Sequence, residues 1–274
     1  MMELTSAQNP RIKHLLQLQQ KSAVRRSEGL FVVEGRRELD HCLAAGYQPD
    51  SIFLCQEFLD GSPSASVSAL LPPENIYEVP RQLYEKVAYR GSTEGVVAIV
   101  RARYLKLDDL VITAQKAPLF IVLESVEKPG NLGAVLRSAD AAGADGVIVC
   151  DPLTDLYNPN LIRSSIGAVF TVPTVACSSE ECISFLKEHG VRILTAQLQD
   201  SRPYYDTDMR QPTAIVMGTE STGLTQQWRQ AADAHIRIPM LGRLDSLNVS
   251  VSAAILLFEA VRQREGNTPQ ELSD

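Results

Sequence analysis

Residues 119–150 read LFIVLESVEKPGNLGAVLRSADAAGADGVIVC, and this stretch decides the fold. LFIVLE (119–124) is an apolar run of strand length bounded by loop residues, which predicts a buried strand. NLGAVLRSADAAGA predicts a helix, and GVIVC (146–150) predicts a second strand. A strand–helix–strand unit implies parallel pairing, because the chain must cross over before it can run the same way again. The alternation continues with GAVFTVPTV (167–175) as strand, a helix over Glu180–His189, and strands at Val191–Ala196, TAIVMG (213–218) and IRIPM (236–240). LNVSVSAAILLFEAVRQR (247–264) predicts a long final helix, at first apolar on all sides and so expected to be buried.

Upstream the texture differs. A helix is expected around residues 8–26, a strand at Phe31–Glu34, and a helix over Arg36–Ala45 closed by Gly46. Strands at Ser51–Cys55, Ile76–Val79 and Gly95–Val100, with a helix over Arg81–Ala88, complete a small αβ unit. The expected domains are therefore 1–105 and 118–266, joined by a charged linker over 106–117 and followed by a tail at 267–274.

The chain of 274 residues has a formal charge of −7 and is 45% hydrophobic, as expected for a soluble globular protein. No apolar run approaches the roughly 18 residues of a membrane span, and the first residues lack a secretory core, so a cytoplasmic location is expected. Cys42, Cys55, Cys150, Cys177 and Cys182 are scattered, odd in number and never spaced C-x-x-C. That pattern argues for reduced thiols and against a disulfide frame or zinc knuckle. Four isolated histidines likewise argue against a histidine metal site, and no metal is expected. Basic residues gather in two stretches despite the net charge. Arg11, Lys13, Arg36 and Arg37 lie in the first, Arg90 and Arg101 in the second, with Tyr84, Tyr89 and Tyr104 interleaved there. Such a mixture suits RNA, since cations hold phosphates and aromatic faces stack on bases; a solvated surface over core tyrosines is the plainer alternative.

Ligands of open parallel sheets sit beyond the carboxyl ends of the strands. Three loops leave such ends: SVEKPGN (125–131), GTESTGL (218–224) and LGRLDSLN (241–248). None carries the G-x-G-x-x-G of a dinucleotide site. GTESTGLT (218–225) has both glycines and the hydroxyl of a phosphate-binding loop, but Leu224 stands where the lysine would be. Glu220 inside the loop would also repel an anion, so a nucleotide hydrolase is disfavoured.

Taken together, EKPGNLGAVLRSADAAG, VMGTESTGL and IPMLGRLDSLNVSVSAAILLFE resemble, in order and spacing, the three motifs of the SpoU (TrmH-type) RNA 2′-O-ribose methyltransferases of the SPOUT superfamily. TSAQNPRIKHLLQL, FVVEGRREL and STEGVVAIV resemble the substrate-binding domain that often precedes them. The resemblance implies an α/β parallel-sheet catalytic domain with a C-terminal trefoil knot, preceded by a small αβ RNA-binding domain. It also implies S-adenosylmethionine as methyl donor, a homodimer, and RNA as substrate, ribosomal before transfer RNA. GTESTGLT then becomes a backbone wall for the cofactor. It departs from the family pattern at Ser221, where a glycine is usual, which puts the local loop shape in doubt.

By the same resemblance Arg137 is the central catalytic residue, accompanied by Asn131, Glu220, Ser246 and Asn248. Arginine is a poor base, so its expected task is to hold a phosphate and stabilise the developing alkoxide. Outside this family Arg137 would read as a solvated helix residue, and Asn131, Ser246 and Asn248 as helix caps. The cofactor pocket is expected along the backbone around Thr195, Gly218, Ile238, Met240 and Leu247, with Glu220 nearby. A non-catalytic RNA-binding or ribosome-assembly protein that keeps the fold is the alternative; it would have no need of the whole set of polar residues.

Overall fold

A computed structural model of the chain describes residues 2–59, 71–88, 94–113, 116–219 and 222–265. It divides into two units: Met1–Arg103 with Asp155–Thr171, and Tyr104–Thr154 with Val172–Asp274. The expected second domain ran without interruption from 118 to 266; the chain instead leaves it at Asp155 and returns at Val172.

In the first unit the described strands β1 (Met2–Glu3), β2 (Leu30–Glu34), β3 (Pro49–Leu54), β4 (Ile76–Glu78) and β5 (Val96–Arg101) form a mixed sheet ordered β1-β4-β3-β5-β2. One face packs Val32, Phe53, Tyr77, Val97 and Ile99 against Ile12, Leu15 and Leu18 of the helix Pro10–Gln20. That helix begins where Asn9 accepts a hydrogen bond from the Arg11 amide at 2.9 Å and Pro10 presets the first turn. The single helix expected over 8–26 is two, because Lys21 is extended and a second helix spans Ser22–Glu28. Arg25 explains the break. Its Nη1 donates to the carbonyls of Leu18 and Gln19 at 2.6 and 3.1 Å, which the end of a helix leaves without partners. Its Nε donates to Asp155 at 2.6 Å, in an ion pair whose side chains are 3% and 8% exposed. Residues 155–171 are thereby tied to this unit, with Tyr157 stacked on Phe31 at a centroid distance of 4.2 Å.

In the second unit β6 (Leu119–Glu124), β7 (Gly146–Cys150), β8 (Thr174–Cys177), β9 (Arg192–Ala196), β10 (Arg202–Pro203), β11 (Thr213–Met217) and β12 (Ala234–Arg237) form one parallel sheet, ordered β10-β12-β9-β11-β6-β7-β8. The expected strand over GAVFTVPTV is in fact a helical turn at Ala168–Thr171 followed by β8. Ile166 and Gly167 both take positive φ and start that turn, so the extended run cannot form. The last strand is Ala234–Arg237 rather than 236–240, since Pro239 has no amide to continue the ladder. The final helix, Val249–Glu265, is not buried all round: Val251 and Phe258, seven residues apart on one face, are 47% and 48% exposed. The chain runs outward through β6, β7 and β8, then crosses back to lay β9 and β11 on the other side of β6. The reversal lies at β6 and β11, and a crevice beyond their carboxyl ends is where such sheets bind ligands.

Candidate active site

Register builds the site. Leu123 pairs with Met217 and Val216 with Thr195, while Ala196 pairs with Ile236, so β6, β11, β9 and β12 end side by side and their loops adjoin. There a cavity of about 290 Å³ is walled by Met217, Ile236, Ile238, Met240 and Leu247. A smaller cavity of about 130 Å³ lies against Ser125, Lys128 and Asn131, and both are bordered by Gly218, Thr219 and Val249.

The loop after β11 is folded onto itself. Gly223 donates its amide to the Thr219 carbonyl at 3.1 Å, and the Thr222 amide donates to Thr219 Oγ1 at 3.0 Å. A Cβ on Gly218 would lie 2.3 Å from both the carbonyl carbon and the oxygen of Gly223, so only glycine fits. Glu124, 4% exposed at the end of β6, accepts from the amide of Thr225 at 2.9 Å and from its hydroxyl at 2.7 Å. This carboxylate fastens the far end of the loop to the strand that leads into the first motif. Sequence reasoning missed it; the signal was an acid closing the apolar run LFIVLE. Gly218→Ala is expected to force the loop open, at a cost of about 1–3 kcal/mol in stability and with loss of measurable adenosylmethionine binding by calorimetry. A folded variant with wild-type affinity would show that the loop does not shape the pocket.

The third motif meets the first through its side chains. Asn248 Nδ2 donates to Asn131 Oδ1 at 3.2 Å, while Asn248 Oδ1 accepts from the amide and hydroxyl of Ser250 at 2.9 and 2.6 Å. Asn248 thus caps the final helix and bridges to the helix Pro129–Ala141 at once. Ser246 borders the larger cavity, and its hydroxyl donates to Asp245 Oδ1 at 3.3 Å. Gly218, Ile238, Met240 and Leu247 all line that cavity; Thr195 does not, being fully buried with its hydroxyl 2.6 Å from His235 Nδ1. Arg137 lines neither cavity. It is exposed on the helix Pro129–Ala141, six residues past Asn131, a rise of about 9 Å. Glu220 and Ser221 lie outside the described residues.

Two cavity residues went unnoticed in the sequence. Gln197 Oε1 and Arg229 Nε are buried and, among the described residues, have no hydrogen-bond partner. An unpaired donor and acceptor beside an apolar wall mark a pocket built for a ligand with polar groups of its own. No motif signals either position, because what singles them out is convergence on the cavity.

In the first unit the basic residues are partly engaged. Arg101 pairs with Asp50 at 2.9 Å, Arg37 with Glu38 at 3.0 Å and Arg36 with Asp40 at 4.0 Å. Arg11 lies over the Tyr77 ring at 4.6 Å, and Lys13 is exposed on the same helix. Arg90 and Tyr89 lie outside the described residues.

The SpoU rRNA Methylase family model matches residues 118–258, and a model of the MRM3-like substrate binding domain matches residues 9–98. The chain is 35% identical over 212 residues to the 23S rRNA (guanosine-2′-O-)-methyltransferase RlmB of Ralstonia nicotianae, covering 76% of this chain and 82% of that protein. It is 28% identical to the 23S rRNA (guanosine(2553)-2′-O)-methyltransferase RlmP of Bacillus subtilis, over 94% and 98% of the two. The AdoMet-bound rRNA methyltransferase of Sinorhizobium meliloti superposes with a TM-score of 0.85 at 30% identity, over 95% of this chain and 97% of that one. A crystal structure of an RNA 2′-O ribose methyltransferase gives 0.83 at 40% identity, over 96% and 99%.

Proposed function

This chain belongs to the SpoU rRNA methylase family, and we propose that it transfers a methyl group from S-adenosylmethionine to the ribose 2′-hydroxyl of a guanosine in large-subunit ribosomal RNA. The observation that carries the reading is the cavity at the ends of β9, β11 and β12, which shares Gly218, Thr219 and Val249 with the smaller cavity lined by Asn131. The guanosine and the large subunit rest on the relatives' substrates. Transfer RNA is the second candidate.

The pocket fits the cofactor, which brings a methyl group on a sulfonium. Ile238, Met240 and Leu247 offer an apolar slot for adenine, and Gly218 lets backbone approach closely. Arg229 supplies a guanidinium for the amino-acid carboxylate, the one anionic group of the ligand, and Gln197 Oε1 an acceptor for a ligand N–H or O–H. Arg229→Ala is expected to weaken adenosylmethionine binding about 10- to 150-fold, the equivalent of a charged hydrogen bond of about 1.5–3 kcal/mol. Binding of 5′-methylthioadenosine, which lacks the carboxylate, should not change; equal losses for both ligands would assign Arg229 to the loop's shape.

The role assigned to Asn131, which Asn248 holds at the edge of the smaller cavity, is to orient the ribose. Arg137 binds the adjoining phosphate and stabilises negative charge on the 2′-oxygen as its proton leaves. Ser246 adds a polar group to the wall of the larger cavity, and Glu220 is assigned to the reaction by its place in the second motif alone. In the first unit Arg11 and Lys13 are the foremost phosphate contacts, because Arg36, Arg37 and Arg101 have internal acidic partners; Arg90 joins them by its place in the second basic stretch.

The exposed apolar face at Val251 and Phe258 supports a homodimer through the final helix. The order in which the second sheet is filled is compatible with a C-terminal trefoil knot.

Nucleoside mass spectrometry on unmodified 23S rRNA incubated with protein and cofactor tests the function. A cofactor-dependent gain of 2′-O-methylguanosine is expected. No gain on naked RNA or on pre-ribosomal particles, with cofactor still bound, would favour a non-catalytic binder.

A further inference from the structure

Three thiols that are distant in sequence converge in the second unit. Cys150 ends β7, Cys177 ends β8, and the two are register partners on adjacent parallel strands, so their side chains leave the same face of the sheet. Cys182 lies one turn into the helix Ser179–Glu188, which follows β8 directly. The three sulfur atoms all lie within 4.8 Å of one another. Cys150 and Cys182 are fully buried in an aliphatic cluster with Val175, Ile183 and Leu186, whereas Cys177 is only half-buried and gives access from solvent.

Core packing asks for small apolar volume, which alanine or valine supplies as well, and does not require three sulfur atoms to meet. Trigonal coordination does require it: metal–sulfur bonds of about 2.3 Å put the sulfurs about 4 Å apart. We propose that Cys150, Cys177 and Cys182 form a three-thiolate site for a soft monovalent metal ion, Cu(I).

Ligand chemistry and number select the ion. An all-sulfur donor set rejects magnesium, calcium and manganese. Structural zinc and iron–sulfur clusters take four protein ligands, and among the described residues no fourth histidine, cysteine or carboxylate joins the group. The nearest acids in sequence are engaged elsewhere. Asp151 accepts from the Ser179 hydroxyl at 2.6 Å, and Glu181 from the amide and hydroxyl of Ser178 at 2.8 and 2.7 Å. Cys182 lies in the first turn of a ten-residue helix, where the helix dipole favours negative charge and offsets part of that of the complex. Binding replaces S–H bonds with Cu–S bonds and releases the protons to solvent; copper remains Cu(I), and no electron moves.

The test is an anaerobic titration of the reduced full chain with Cu(I) against a chromophoric chelator such as bicinchoninate. One Cu(I) per chain should be withheld from the chelator, with a thiolate-to-copper absorption band in the near ultraviolet and a raised thermal midpoint. Cys177→Ser should lose the band and bind about 100-fold more weakly or worse, whereas Cys42→Ser in the first unit should change neither. Copper taken entirely by the chelator from the wild type would overturn the site, as would unchanged retention by a folded Cys177→Ser. If that variant does not fold, alkylating Cys177 in the native protein replaces it, and copper retained after alkylation overturns the proposal equally.

Discussion

Arg137→Ala should lower methyl transfer about 100- to 1,000-fold while leaving adenosylmethionine affinity within a few-fold of wild type. The magnitude is that of removing one donor aimed at charge that develops in the transition state. The selectivity follows from position. Arg137 is exposed on the helix Pro129–Ala141 and borders neither cavity, so the cofactor pocket does not depend on it. For the same reason its removal should move stability by no more than about 0.5 kcal/mol. Arg137→Lys keeps the charge but loses the planar fork that grips a phosphate, and should recover only part of the rate. Wild-type turnover by Arg137→Ala in a single-turnover assay on saturating RNA would remove it from the mechanism. A lower melting temperature together with lost cofactor binding would make it a structural residue.

Asp155→Ala should destabilise the first unit by about 3–5 kcal/mol, the cost of leaving a buried charge without its partner. Arg25 is 3% exposed at the side chain, and its guanidinium bridges Asp155 and the carbonyls of Leu18 and Gln19. Losing the carboxylate strands that charge in the core. It also frees residues 155–171, which lie between two strands of the second unit in sequence yet belong to the first. A urea unfolding series measures the loss. Replacing both partners together, Arg25→Met with Asp155→Leu, should restore part of the stability, since apolar pairs often replace buried ion pairs without penalty while the carbonyls of Leu18 and Gln19 still lose their donor. Equal losses in the single and double variants would show that packing at this point, rather than the ion pair, holds the segment.

The second sheet was readable because its strands are continuous apolar runs separated by helices, and LFIVLE and GVIVC can be buried on both faces only in a covered parallel sheet. Elsewhere local signals were overridden. The helix expected over 8–26 breaks at Lys21 because Arg25 turns back onto the first helix, a contact that depends on Asp155, 130 residues away. The extended reading of GAVFTVPTV failed because Phe170 is drawn to Phe31 of the first unit, with ring centroids 5.8 Å apart. The final helix looked buried because apolar composition does not say whether both faces find cover within one chain.

For the site, sequence by itself determined the three loops at the strand ends; Asn131 and Arg137 in the first motif, Gly218 in the second, and Ser246 and Asn248 in the third are candidates through the resemblance to the SpoU family. The loops are legible because each follows an apolar run of strand length and holds glycine, proline or polar residues that end one. Only the tertiary structure decided that Asn131 and Asn248 meet, that Glu124 clamps Thr225, that Gln197 and Arg229 share the cavity, and that Cys150, Cys177 and Cys182 converge. Each of these contacts joins segments whose proximity is set by strand order. Strand order is chosen by the burial of the whole sheet, which no local stretch of residues encodes.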